Sequence, residues 1–402
     1  MRLLDVGPRP VLPVRRGISV RVDALGRELS ARHEVRHLTL GDRPVGRRRG
    51  IDVVALGPRR AELRREHPLC SLMIRTSRRF WHGAPLLAAP AMRLSEPGAL
   101  SPQFDWADVL MVQYPWQFAL CRRLAVPGTP LVLSSVNVET DKFVSWAEAV
   151  NAAPSAAAPW LRYVERAERS AIAHADLVLT VSEPDRAAYI ERFGADPERT
   201  LVVPNGVDTR RFRPVSAAER AAAKRELGLP DRPVALFQGA DQPANRAGVE
   251  WVRRLAAADG RFTFLVAGGV AAPAREGGFV SAGSVPDMRP YLAAADFGLC
   301  PIAHGGGTKL KLFESMAAGL PVVAFAEALI GTEVEPGEHV LRTDRDERSV
   351  LAALVALADD DELAGRLSRA ARELTERRYD WAAIAAPLER ALVGLHAANS
   401  TS

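Results

Sequence analysis

Cysteine is scarce in this chain: Cys70, Cys121 and Cys300 stand far apart among 402 residues. An odd, scattered set excludes a disulfide framework and a cysteine metal site, and predicts a reducing cytoplasm. No apolar run is long enough to span a bilayer, and the N-terminus lacks a signal peptide, so neither an anchor nor secretion is expected. Asp and His do not cluster as metal ligands would. Repeats are absent, and low complexity is confined to the alanine-rich connector 152–159. Lysine is also rare: of 53 basic residues four are lysine, at 142, 224, 309 and 311. Neither sign of charge dominates, because 48 acidic residues leave a net charge of +5. That balance suits a protein handling an anionic ligand or lying near an anionic surface, and does not point to nucleic acid.

The chain is long enough for two domains with full cores, and 48% of its residues are hydrophobic. Short apolar runs alternate with amphipathic helical stretches, the pattern of open α/β sheets. Residues 2–7 read as a first strand, 20–32 as a first helix, and 35–40 and 51–56 as strands. Residues 58–101 read as arginine-rich helix and proline-rich loop. The largely apolar runs 109–112 and 131–134 read as buried parallel strands, and 177–180 as a further strand. A helix is predicted over 160–175, a strand over 201–203, and a polar helical linker over 210–229. Strands follow at 234–237 and 262–267. Two helices are predicted over 350–378 and one over 381–398, the last with Trp381, Ile384, Leu388 and Leu392 on one side.

The most informative stretch is 297–324, FGLCPIAHGGGTKLKLFESMAAGLPVVA. An apolar run leads into three glycines, a candidate N-cap at Thr308, a helical pattern ending at Gly319 and Pro321, and a second apolar run. Strand, glycine loop, helix and strand in that order suit an anion at the helix start, where N–H groups lack partners and the dipole favours negative charge. Leu310, Phe313 and Ala317 are expected on one apolar face, and Lys311 and Glu314 on another. Glu314 falls about 9 Å along the axis from Thr308. A cation near the first turn and a carboxylate further on can hold a diphosphate at one end and sugar hydroxyls at the other. The same glycines also read as an ordinary turn before an amphipathic helix with a solvated Lys–Glu pair.

These residues carry a resemblance. GGGTKLKLFESMAAGLPVVA resembles the donor-site signature of glycosyltransferase family 4, retaining sugar transferases of the GT-B architecture. Residues 181–208 and 283–296 are similar to further segments of that family. The resemblance covers most of the chain and is more specific in the second half. It implies two doubly wound Rossmann-like α/β domains facing across a cleft. The acceptor-side domain is expected over 1–209, the donor domain over 210–378, and a helix crossing back to the first domain over 379–402.

The resemblance also implies roles. A nucleotide-sugar donor would be held by Gly239, Gly306, Gly307, Thr308, Lys309, Leu310 and Lys311, with Arg246 as a second cation for its phosphates. Glu314 would take the ribose, Val285 belongs to the loop 283–288 that meets the base, and Gly17 stands in the first-domain glycine loop. Relatives carry His-Asn-Val-Glu where this chain has Val136-Asn137-Val138-Glu139, so the histidine's role is absent or falls to Glu139, Asp141 or another loop. Glu139 also reads as a helix cap or a solvated acid, and Gly17 as part of an ordinary strand-to-helix loop. A first glutamate of the family pair is Gly306 here. Glu139, Arg246 and Lys311 are the candidate catalytic residues. The implied reaction needs no metal and no cofactor beyond the donor substrate, and its acceptor is a small molecule, glycan or lipid. Trp81 and His82 are candidate acceptor contacts or a core edge, and Arg75 to Arg79 a lipid-headgroup contact or a solvated face. The alternatives to transfer are an inactive nucleotide-sugar-binding partner, favoured by Val136 and Gly306, and a sugar-nucleotide epimerase.

Overall fold

In the computed structural model, which describes residues 1–7, 11–12, 17–40, 52–65, 100–303 and 310–400, the chain divides into two compact units. Unit 1 holds Met1–Pro204 and Ala385–Ser402, and unit 2 holds Asn205–Ile384.

Unit 1 is built on eight strands: β1 (Arg2–Gly7), β2 (Glu34–Leu40), β3 (Asp52–Gly57), β4 (Arg60–Arg65), β5 (Val109–Val112), β6 (Leu131–Ser134), β7 (Leu177–Thr180) and β8 (Thr200–Val202). They lie in the order β3-β4-β2-β1-β5-β6-β7-β8. All neighbours are parallel except β3 and β4. β5, β6 and β7 are buried at every position, as strands of a covered parallel sheet are.

β4 was not legible in the sequence, which reads there as arginine-rich helix. Its inward side chains include charged ones: Arg60 and Glu62 are buried together with Leu63. Arg60 donates to His37 Nε2 at 3.1 Å and to Asp23 at 2.9 Å, and Glu62 accepts from the Val11 amide at 2.8 Å. Paired in this way, charges can face a core. The helix predicted from Trp160 begins at Pro154, so part of the alanine-rich connector is helical. Proline is tolerated in a first turn, and alanine is the strongest helix former. The helix Trp381–Ser400 buries Trp381, Ile384, Leu388 and Leu392. Within unit 1 its Glu389 accepts from Arg32 at 2.6 Å and lies 2.9 Å from His33 Nε2.

Unit 2 is built on β9 (Val234–Gln238), β10 (Thr263–Ala267), β11 (Ala274–Glu276), β12 (Phe279–Ser281), β13 (Phe297–Cys300), β14 (Val322–Phe325) and β15 (Leu341–Thr343). Their order is β11-β12-β10-β9-β13-β14-β15. Only the β11–β12 hairpin is antiparallel. The polar stretch expected to be helical over 210–229 is helical only at Ala217–Glu226. Ser216 sets its start: its hydroxyl accepts from the Glu219 amide at 3.2 Å, and the Glu219 carboxylate accepts from the Ser216 amide at 2.8 Å. The segment before it is pinned from the helix Asp361–Leu374. Arg372 donates to the carbonyls of Phe212 at 2.7 Å, Thr209 at 3.0 Å and Ala317.

Candidate functional site

Ligands of open α/β sheets gather beyond the carboxyl ends of the strands, where the strand order reverses. In unit 2 that reversal lies between β9 and β13, because the chain runs from β9 to β10 on one side and later returns to β13 on the other. The end of β9, with Gln238, Gly239 and Ala240, therefore meets the helix Leu310–Ala317 that follows β13.

That helix buries Leu312, Phe313, Ser315, Met316 and Ala317, while Leu310 is only half-buried. The apolar face thus lies further round the helix than the sequence spacing of Leu310 suggested. Its anchor is Phe313, which stacks on Tyr379 with ring centroids 4.0 Å apart. With this face inward, Lys311 and Glu314 come to the end of β9. The Lys311 ammonium donates to Asn245 Oδ1 and lies 4.7 Å from the centroid of the Phe237 ring. The Lys311 carbonyl accepts from Gln238 Nε2 at 3.3 Å.

Glu314 is half-buried, and its carboxyl is pushed up from 4.5 to about 7. Burial is the main cause; Lys311, Arg211 and the Gln238 side chain pull the other way. Arg211 also lies 3.3 Å from Asp287. Asp287 is held down to about 2, chiefly by its hydrogen bond from Arg289. Asp287 belongs to the loop with Val285, whose side chain is half-buried.

The strand ends close up through glycines. The Gly239 amide donates to the Ala267 carbonyl at 3.0 Å, and the Gly268 amide to the Gly283 carbonyl at 2.8 Å. Gly268 has φ +108, and a Cβ there would sit 2.3 Å from the Gly239 carbonyl oxygen. No side chain fits that crossing.

Arg246 lies in the first turns of the helix Pro243–Ala258, where its charge opposes the dipole. The structure supplies a partner that the sequence did not announce: Asp241, 2.6 Å away on the preceding loop, both side chains being exposed. Gly17 is the exposed first residue of the helix Gly17–Ser30 in unit 1. Gly306, Gly307, Thr308 and Lys309, the core of the glycine signature, lie outside the described residues, as do Arg75 to Arg79, Trp81 and His82.

Glu139 is the first residue of the helix Glu139–Ala149 and is 2% exposed. Its carboxylate accepts from Asn137 Nδ2 at 3.0 Å and lies 3.6 Å from Lys142 Nζ. This helix has Val138 at its N-cap, which offers no side-chain acceptor. The cap comes instead from Glu168 on the helix Pro154–His174. That fully buried carboxylate accepts from the amides of Glu139 at 2.7 Å and Thr140 at 3.1 Å, the Thr140 hydroxyl at 2.6 Å and the Tyr189 hydroxyl at 2.7 Å. Burial raises the Glu168 carboxyl, and these four bonds oppose the rise. Ser135 joins them, its hydroxyl 2.7 Å from that of Tyr189. The loop from Ser135 to Thr140 is thereby fixed from two helices. The sequence could show only that a carboxylate falls on the stripe Val164, Glu168, Ala171 and Ile172, and not what it would meet.

Among the described residues no three His, Cys, Asp or Glu side chains gather as a metal set, and no helix is long and apolar enough to cross a membrane.

Known proteins agree with this architecture. The model of the glycosyl transferase 4-like domain matches residues 16–206, and that of the glycosyl transferases group 1 matches residues 232–360. A D-inositol 3-phosphate glycosyltransferase from Acidothermus cellulolyticus is 31% identical over 314 residues, which are 72% of this chain and 65% of that one. The match therefore spans just under two thirds of that relative. A solved sucrose-phosphate synthase from Thermosynechococcus elongatus shares the fold with a TM-score of 0.77 at 20% identity, over 99% of this chain and 100% of that one. Anabaena Alr3699/HepE, solved in complex with UDP-glucose, does so with a TM-score of 0.63 at 16% identity, over 98% and 100%. The fold is that of the GT-B glycosyltransferases. The chain belongs to glycosyltransferase family 4.

Proposed function

We propose that this protein transfers a sugar, with retention of configuration, from a nucleoside diphosphate sugar to an acceptor hydroxyl, and that unit 2 holds the donor. The observation that carries the reading is the meeting of Lys311 and Glu314 at the strand-order reversal, a fixed cation beside a carboxyl poised to ionise near neutrality. In this reading Lys311 takes the diphosphate, ionised Glu314 accepts hydrogen bonds from the ribose hydroxyls, and the loop with Val285 meets the base. As the bond from the sugar to the diphosphate breaks, negative charge grows on the departing phosphate oxygen. Lys311 and Arg246 stabilise it, and no metal is required. Arg246 can turn from Asp241 to a phosphate because exposed ion pairs are weak.

Glu139, bonded to Asn137, belongs to the loop assigned to the acceptor side. The acceptor named for the Acidothermus relative, D-inositol 3-phosphate, makes a phosphorylated cyclitol the first acceptor to assay. A second reading, donor binding without turnover, rests on Val136: valine can neither hydrogen-bond a sugar nor exchange protons. Product formed from donor and acceptor separates the two.

The pH dependence of donor binding tests the site. A nucleotide sugar is the right probe, since its diphosphate diester does not titrate near neutrality. Below about 7 the free protein holds Glu314 protonated, so binding through the ionised form costs a deprotonation. Affinity should weaken about tenfold by one pH unit below that value, plateau above it, and lose this dependence in Glu314→Gln. The ligand-free protein should show the opposite slope. Its folded state holds the extra proton, so the Glu314 contribution to stability falls as pH rises from 4.5 to about 7. Identical pH profiles for wild type and Glu314→Gln would remove Glu314 from the site.

A further inference from the structure

The Lys311 ammonium is aimed by a side chain that no sequence signature marks. Asn245 is 9% exposed and sits in the first turn of the helix Pro243–Ala258. Its Nδ2 donates to the Ala240 carbonyl at 2.7 Å, which sets the amide so that Oδ1 is the atom presented to Lys311. The ammonium also lies over the Phe237 ring, 4.7 Å from its centroid, and that ring is itself held by close packing: a Cβ at Gly248 would come 2.7 Å from Phe237 Cζ. Gly239 completes the arrangement. A Cβ there would meet Asn245 Cγ at 2.9 Å, Nδ2 at 3.0 Å and Cβ at 3.1 Å. Alanine at 239 would push the amide out of place.

We infer that Asn245 is a positioning residue that holds the Lys311 ammonium ready for an anionic ligand, and that Gly239 is glycine to make room for it. This rests on Lys311 being a phosphate ligand, as proposed above. A free lysine side chain loses substantial conformational entropy when a ligand immobilises it; one already held in place loses less, and binding gains accordingly. The partner has to be an amide. A carboxylate would also hold the ammonium but would cancel the charge that attracts phosphate, whereas asparagine fixes direction and leaves the charge intact.

The test compares two ligands on six proteins. Affinity is measured by calorimetry for whichever of UDP, GDP, ADP and dTDP binds tightest, and for its parent nucleoside, on wild type, Asn245→Ala, Asn245→Asp and Lys311→Ala, and then on the two double variants that combine each Asn245 change with Lys311→Ala. Asn245→Ala is expected to weaken the diphosphate on the order of tenfold and to leave the nucleoside unchanged. Asn245→Asp should weaken the diphosphate at least as much, despite keeping a bond to the ammonium, and neither change should add to the loss in a Lys311→Ala background. If Lys311→Ala leaves diphosphate affinity intact, the phosphate role of Lys311 fails and the inference with it. If Lys311→Ala weakens the diphosphate but both Asn245 variants bind it as wild type does, the inference alone is overturned. Equal loss for diphosphate and nucleoside in the Asn245 variants would mark a merely structural residue and also overturn it. Should Asn245→Ala not fold, the near-isosteric Asn245→Asp carries the comparison.

Discussion

Lys311→Ala is expected to lower kcat by about a hundred- to a thousand-fold, the range seen when one preorganised donor to a developing oxyanion is removed. The loss should fall on turnover more than on folding. Lys311 is half-buried, and its contact with the Phe237 ring is of a kind worth about 1 kcal/mol. The variant should therefore melt within a few degrees of wild type. Lys311→Arg should recover only part of the rate, because the planar guanidinium cannot occupy the same place beside Asn245 and the ring. Steady-state kinetics with a productive donor and acceptor, set beside a thermal melt, separate a lost charge from a damaged fold. A Lys311→Ala enzyme with near-normal kcat would show that the departing diphosphate is stabilised elsewhere.

Glu168→Ala should act on the fold of unit 1. Four donors now converge on that carboxylate, and all four would face a cavity. An orphaned buried donor costs about 1–3 kcal/mol. Water entering the cavity would recover part of this, and relief of the buried charge a further part. A net loss of about 3 kcal/mol at neutral pH is expected in urea unfolding. The direction of the carboxyl's shift sets the pH trend. Glu168 titrates above its ordinary 4.5, so its stabilising contribution is greatest at low pH and declines as pH rises through that window. The gap between wild type and variant should narrow accordingly. A change below about 1 kcal/mol would mean that the helix Glu139–Ala149 does not depend on this cap.

The contrast between Lys311 and Glu168 shows what the sequence could reveal. The lysine was legible because strand, glycine, helix and strand follow one another within a single stretch, and because lysine is otherwise rare. The buried parallel strands were legible for a similar reason: β5, β6 and β7 are apolar runs, the last two closed by Ser134 and Thr180, with the bounds their sequence predicts. β4 was not, since charged residues paired across the sheet face inward and erase the alternation that marks a strand. The β11–β12 hairpin was missed because two strands of three residues carry no period. Asn245, Asp241 and Glu168 were invisible as site residues for another reason. Each matters through a partner distant in the chain or through a loop whose path the fold decides, and no local pattern encodes that meeting. Arg246 shows the same limit: the exposed Asp241 that faces it without a ligand could not be read from its place at a helix start.

The most direct measurement of the central claim is release of nucleoside diphosphate from a panel of UDP-, GDP-, ADP- and dTDP-sugars, with and without phosphorylated cyclitol acceptors, in wild type and Glu314→Ala. One donor is expected to be consumed, faster with an acceptor, with the new glycosidic bond keeping the donor's anomeric configuration, and the activity is expected to collapse in Glu314→Ala. Tight binding of one donor with no consumption under any condition would contradict transfer and leave a protein that holds a nucleotide sugar. Failure to bind or consume any of them would contradict the donor site itself.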